Sequence, residues 1–115
     1  MEQLKILLVD DDAAVRHVLK IALSVEEGIG EVREAADGDD ALRVVHDFKP
    51  DVIFLDYWMP RMDGRTAAVR IREVHPEARI IAFSGVLEEK PDWADGYFVK
   101  GELPDVEAVL ALGRS

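Results

Sequence analysis

The chain has 115 residues, 49% of them apolar and 33% charged, with a formal net charge of −10. That length suits one domain burying roughly two thirds of its unfolded surface, and the composition excludes both a disordered chain and a bundle of bilayer-spanning helices. The lack of cysteine excludes disulfides and thiolate metal sites, and the acidity argues against direct nucleic-acid binding.

Leu4 to Val9 is a nearly continuous apolar run and reads as a strand buried on both faces, the habit of parallel sheets. Asp10, Asp11 and Asp12 follow, with Asp12 placed to cap a helix. Ala14, Val15, Val18, Leu19, Ala22 and Val25 recur at helical spacing, so a helix is expected from Ala13 to about Val25, with Gly28 and Gly30 breaking it. Glu31 to Ala36 reads as a short strand and Asp37-Gly38 as a turn. Ala41, Val44, Val45 and Phe48 place a second amphipathic helix, ended by Pro50. Asp51 to Leu55 is a buried strand terminating in Asp56, and the loop Tyr57 to Gly64 follows it. Ala67, Ile71 and Val74 place a third helix that stops before Pro76. Arg79 to Phe83 is a further strand, ending at Ser84-Gly85. Val86 to Ala94 holds Pro91 and little periodicity, so at most one helical turn is expected there. Gly96 to Val99 forms the last strand and ends at Lys100. Pro104 suits a first helical turn, and Val106, Val109 and Leu110 mark a short closing helix.

Strands that alternate with helices give an α/β fold: a parallel sheet with helices on both faces, whose functional crevice lies at the carboxyl ends of the strands. Asp10 and Asp11, Asp56, Ser84 and Lys100 each stand just past a different strand, and so should share one rim. Three carboxylates together repel one another and raise one another's pKa, which a divalent cation relieves. An all-oxygen ligand set selects a hard ion, Mg²⁺ or Mn²⁺. Lys100 supplies a point charge for a phosphoryl oxygen, Ser84 a hydroxyl donor, and an aspartate can itself be the nucleophile. Taken singly these residues have plainer readings. Asp12, Asp37 and Asp63 read as helix caps or turn formers, Lys100 as a solvated lysine and Ser84 as a turn residue. The meeting of Asp10, Asp11, Asp56, Ser84 and Lys100 at every strand end is what argues for chemistry.

Ile6 to Asp12, Ala36 to Leu42, Pro50 to Gly64, Phe83 to Gly85 and Ala94 to Lys100, in that order, resemble the receiver domains of two-component response regulators. The resemblance covers Lys5 to Leu110, and Asp56 to Gly64 is its most specific part. It implies one receiver domain over residues 1–115, with a doubly wound five-stranded parallel sheet in the order 2-1-3-4-5, like flavodoxin and chemotaxis regulators. It implies a signalling switch rather than an enzyme. Asp56 would accept phosphate from a phosphohistidine on a sensor histidine kinase or a histidine phosphotransfer protein. Asp10, Asp11, Asp56 and the backbone carbonyl of Trp58 would hold Mg²⁺. Lys100 would contact the phosphoryl group, Ser84 would close onto it, and Tyr97 would swing inward with Ser84. Without the resemblance, Tyr97 reads as a strand aromatic packed on the core.

The sequence departs from the family pattern in three places. Gly101 follows Lys100 where the family has proline, so an altered loop is expected there. Only 15 residues separate Ser84 from Lys100, so the usual fourth helix should be shortened or missing. Trp58 and Val86 are both apolar at positions that flank the path of attacking water, so a long-lived phosphorylated form is expected. Two rivals remain. One resembles haloacid-dehalogenase phosphatases, with Asp10 as nucleophile and Asp12 as acid-base. The other is a degenerate receiver that binds protein partners without phosphorylation. The start Met1-Glu2-Gln3-Leu4-Lys5 lacks the features of a signal peptide and no apolar run spans a bilayer, so a cytoplasmic location without membrane contact is expected.

Overall fold

A computed structural model describes residues 3–85, 89–102 and 104–115. In chain order the elements are β1 (Leu4–Val9), α1 (Ala13–Ser24), β2 (Ile29–Ala35), α2 (Gly38–Phe48), β3 (Val52–Asp56), α3 (Gly64–Val74), β4 (Arg79–Ser84), β5 (Gly96–Val99) and α4 (Val106–Gly113). The strands form one sheet in the order β2-β1-β3-β4-β5, and every pairing is parallel.

Alternation along each strand sorts the apolar side chains into two cores. Leu7, Val9, Ile53, Leu55, Ile80 and Ala82 face α2 and α3. Ile6, Leu8, Val52, Phe54, Ile81 and Phe83 face α1 and α4. Between their ends the central strands are therefore apolar on both faces, as a sheet covered on both sides requires. No helix among the described residues is long and apolar enough to cross a membrane.

Among the described residues, each helix starts from an aspartate. Asp12, Asp37, Asp63 and Asp105 each accept backbone N–H groups at a helix N-terminus, which satisfies donors that the helix itself leaves unpaired. The caps move two expected boundaries. The helix expected from Ala41 begins at Gly38, because Asp37 caps it. Pro104 lies outside the closing helix, because Asp105 is its cap. The second strand starts at Ile29, before the expected Glu31. Ile29 pairs with Leu4 of β1, and the Leu4 N–H donates to Gly28 O at 2.8 Å, so Gly30 sits within the ladder. The first helix stops at Ser24, with Val25 as its C-cap.

Between β4 and β5 the described residues contain no helix, in keeping with the short spacing. The segment 89–95 instead lies as a strap on α3. Arg65 pairs with Asp92 at 2.8 Å, and Arg72 reaches Asp95 at 3.2 Å and the Trp93 carbonyl at 2.9 Å. Trp93 and Ala94 are buried in the α2/α3 core. Val86, one of the two residues expected to shield the phosphoryl group, lies outside the described residues.

Candidate functional site

β1, β3, β4 and β5 end at the same rim, where Asp10, Asp56, Ser84 and Lys100 stand at or just past their last residues. Register explains why. Val9 pairs with Leu55, Asp56 with Phe83, and Ser84 with Val99. Asp10, Asp56 and Ser84 are buried, at 0%, 2% and 2% exposure. Burying charged groups costs stability unless other charges meet them. Lys100 does so: its Nζ lies 2.8 Å from Asp10 Oδ2 and 3.1 Å from Asp56 Oδ2, and 5.2 Å from the centre of the Phe83 ring.

One ammonium does not neutralise the cluster. Carboxylate oxygens of Asp10, Asp11 and Asp56 all lie within 4.8 Å of one another. Burial, and then the charge of Asp10, push the Asp56 carboxyl up to about 6, although Lys100 and the Trp58 N–H act in the other direction. Burial also works against the Lys100 charge, but contacts with Asp10 and Asp56 outweigh it and raise the Lys100 pKa.

The residues fit a hard divalent cation on three counts. The donors are all oxygens. Three carboxylates against one ammonium leave two negative charges. Asp10 Oδ2 is buried and has the Lys100 charge beside it but no aligned hydrogen bond. Asp11 is exposed and opens the site to solvent.

The remaining expected residues fall around this centre. The Trp58 N–H donates to Asp56 Oδ1 at 3.2 Å, and its ring, 62% exposed, lies 4.8 Å from that of Tyr57. The Ser84 carbonyl accepts the Lys100 N–H at 3.0 Å, which ties the ends of β4 and β5 together. Tyr97 is 42% exposed on the edge strand, so it is not the core-packed aromatic of the plainer reading. Gly101 has φ +94°, a conformation that favours glycine and that proline cannot adopt. The altered loop after Lys100 is real, yet Lys100 still reaches both carboxylates. Gly64 closes the loop after Asp56. A Cβ there would lie 2.9 Å from the Asp56 carbonyl oxygen and 3.0 Å from the Trp93 ring.

Two side chains near the site were not foreseen. Arg16 on α1 donates to the Asp10 carbonyl, and Trp93 backs the Asp56 loop. Arg16 carried a signal, since it lies one helical turn past the Asp12 cap. Trp93 carried none, because its segment has no periodicity. The phosphatase rival fails on Asp12, whose carboxylate is spent capping α1 and accepts from the Ala14 and Val15 N–H groups.

Residues 6–99 match the family model described as the response regulator receiver domain. The chain is 45% identical over 84 residues to protein-glutamate methylesterase/protein-glutamine glutaminase 4 of Geobacter metallireducens, covering 73% of this chain and 24% of that protein. It is 37% identical over 87 residues to the response regulator protein VraR of Staphylococcus epidermidis, covering 76% of this chain and 42% of that protein. The chain thus spans less than half the length of these two relatives. Among solved structures, the signal receiver domain of the putative response regulator NarL from Mycobacterium tuberculosis superposes with a TM-score of 0.86 at 30% identity, covering 100% of this chain and 99% of that one. The response regulator domain of Thermotoga maritima CheB gives a TM-score of 0.84 at 25% identity over 97% of this chain and 96% of that one. This chain belongs to the response regulator receiver domain family, with the sheet order and layers of the chemotaxis-regulator fold and, among the described residues, no helix between β4 and β5.

Proposed function

We propose that residues 1–115 act as one phosphorylation switch of a two-component system, with Asp56 as the acceptor and a phosphohistidine of a sensor kinase or phosphotransfer protein as the donor. One observation carries the reading: the Asp56 carboxylate is buried in a three-carboxylate cluster and shares the Lys100 ammonium with Asp10. An Asp56 oxygen attacks phosphorus, the phosphorus–nitrogen bond to the donor histidine breaks, and an acyl phosphate forms. Lys100 meets the charge on the transferring phosphoryl oxygens, and Ser84 donates its hydroxyl to the product. Asp10, Asp11, Asp56 and the Trp58 carbonyl hold Mg²⁺ or Mn²⁺, which supplies charge neutralisation and orientation. Tyr97 follows Ser84 inward when the product forms.

In this reading the domain is a switch, works in the cytoplasm, turns over only its own phosphoryl group and touches neither nucleic acid nor membrane. Acetyl phosphate with Mg²⁺, followed by intact mass, tests it. One phosphoryl group should be gained, and none without Mg²⁺ or in Asp56→Asn. No gain under any condition would leave a degenerate receiver that binds partners unmodified. Apolar Trp58, and the apolar residue Val86 in the sequence, suit a phosphoryl group shielded from water, which should persist for minutes or longer at neutral pH; loss within seconds would contradict the shield.

A further inference from the structure

We infer that Arg16 is a positioning residue of the acidic site, fixing the direction in which Asp10 presents its Oδ2 to a divalent cation. This rests on the function proposed above. Asp10 is wholly buried, and each of its other polar atoms is held from a different place. Its N–H donates to Ala35 O of β2 at 3.2 Å, and its Oδ1 accepts the Asp12 N–H at 2.8 Å. Its carbonyl accepts Arg16 Nη1 at 2.5 Å. Only Oδ2 is left facing Lys100 and the other two carboxylates.

The Arg16 guanidinium is itself fixed. Its Nε donates to Glu34 Oε1 of β2 at 3.0 Å, and Lys20 flanks Glu34 at 3.7 Å. The Arg16 side chain is only 16% exposed. Its backbone N–H returns to Asp12 O at 3.2 Å. One planar fork thus bridges β2 and the Asp10–Asp12 turn, a geometry that lysine cannot reproduce with a single point donor. The turn has no other side-chain donor on the Asp10 carbonyl among the described residues. Groups that orient metal ligands without touching the metal commonly change metal affinity by about 10- to 100-fold when removed.

The sign of the effect separates positioning from simple charge. Arg16 is a cation beside an acidic site, so removing it should tighten Mg²⁺ binding if only Coulomb forces matter. Loss of positioning should weaken it. Arg16→Met, Arg16→Lys and Glu34→Gln would be compared with the parent chain by Mg²⁺ calorimetry, by exchange of the Asp12 amide without metal, and by melting temperature. We expect Mg²⁺ to bind about tenfold more weakly in Arg16→Met and less weakly changed in the other two, with the Asp12 amide exchanging faster. Arg16→Lys keeps the positive charge but loses the fork, so Coulomb forces alone predict no change, and it decides the matter if Arg16→Met does not fold. Glu34→Gln loses a negative charge, which by itself weakens Mg²⁺ binding, so the Asp12 amide exchange is its deciding readout. Unchanged or tighter Mg²⁺ binding in the folded variants, with only the melting temperature lowered, would overturn the inference and leave Arg16 as a staple between α1 and β2. Failure of the parent chain itself to bind Mg²⁺ would overturn the proposed function, and this inference with it.

Discussion

In residues 4–74, Asp10 is followed by α1 at Ala13 and Asp56, after a loop, by α3 at Gly64, and each helix is capped by an aspartate and packs against the strands. Between β4 and β5 the described residues hold no helix. There Arg65 and Arg72 of α3 hold down a strap, and Trp93 fills the core beneath it. Both parts nonetheless deliver their polar residues to the same rim, because parallel register with β3 and β4 fixes where each strand ends. Lys100 reaches Asp10 and Asp56 although the described residues of this crossover hold no helix. The strap should therefore matter for stability, and the rim for chemistry.

The largest effect that could break this division comes from Trp93. Trp93→Ala removes a buried indole and should cost about 3–5 kcal/mol, a large share of a domain's stability. Denaturant melts measure it. Trp93→Phe should cost less, and at temperatures where it is folded its phosphorylation by acetyl phosphate should match the parent rate. A slowed rate in folded Trp93→Phe would mean that the strap takes part in the chemistry.

Next in size is Lys100→Ala, which should slow phosphorylation roughly 100-fold, or about 2.7 kcal/mol, by removing the charge that meets the transferring phosphoryl oxygens. A time course of intact mass reads this out. A near-parental rate would move the role of Lys100 from chemistry to scaffolding.

Asp56 gives a smaller effect that depends on pH. Its carboxyl titrates near 6 in the fold against an ordinary 3.8. A folded value above the unfolded one means stability that is present at low pH and lost as pH rises through about 6. Without metal, Asp56→Asn should therefore be more stable than the parent at pH 7.5, on the order of 2 kcal/mol, and should lose that advantage only below the ordinary 3.8, where folded and unfolded states both hold the proton. Asp63 acts in the opposite sense. Its carboxyl, lowered chiefly by the Thr66 N–H, favours the fold at neutral pH and ceases to do so in acid. Thermal melts of both chains across pH separate the two.

The smallest effect is at the strap's exposed edge. Arg65 and Asp92 are 61% and 75% exposed, so Arg65→Ala should cost no more than about 0.5 kcal/mol and should leave phosphorylation unchanged.

Much of this was readable in the sequence, for a physical reason. Strands buried on both faces leave long apolar runs, and polar residues follow them directly, so the sheet order and the rim of Asp10, Asp56, Ser84 and Lys100 could be placed, whereas the starts of α2, α3 and α4 shift with the caps Asp37, Asp63 and Asp105. The start of β2 could not, because Ile29 and Gly30 join the ladder through pairing with Leu4 rather than by any pattern of their own. Trp93 could not, since its burial depends on Tyr57 and Gly64, which are distant in sequence. Arg16 stands one helical turn past the Asp12 cap, but a charged residue on a helix is ordinarily solvated, and only the fold shows its guanidinium turned toward Asp10. Gly101 marked a changed loop, but its consequence for Lys100 needed coordinates.

The central claim is that the acyl phosphate forms on Asp56 and on no other carboxylate of the cluster. Borohydride reduction of the phosphorylated chain converts the modified aspartate to homoserine, and peptide mapping then locates it. The account predicts homoserine at position 56, dependent on Mg²⁺ during phosphorylation. Homoserine at position 10 or 11, or none after an intact-mass gain, would contradict it.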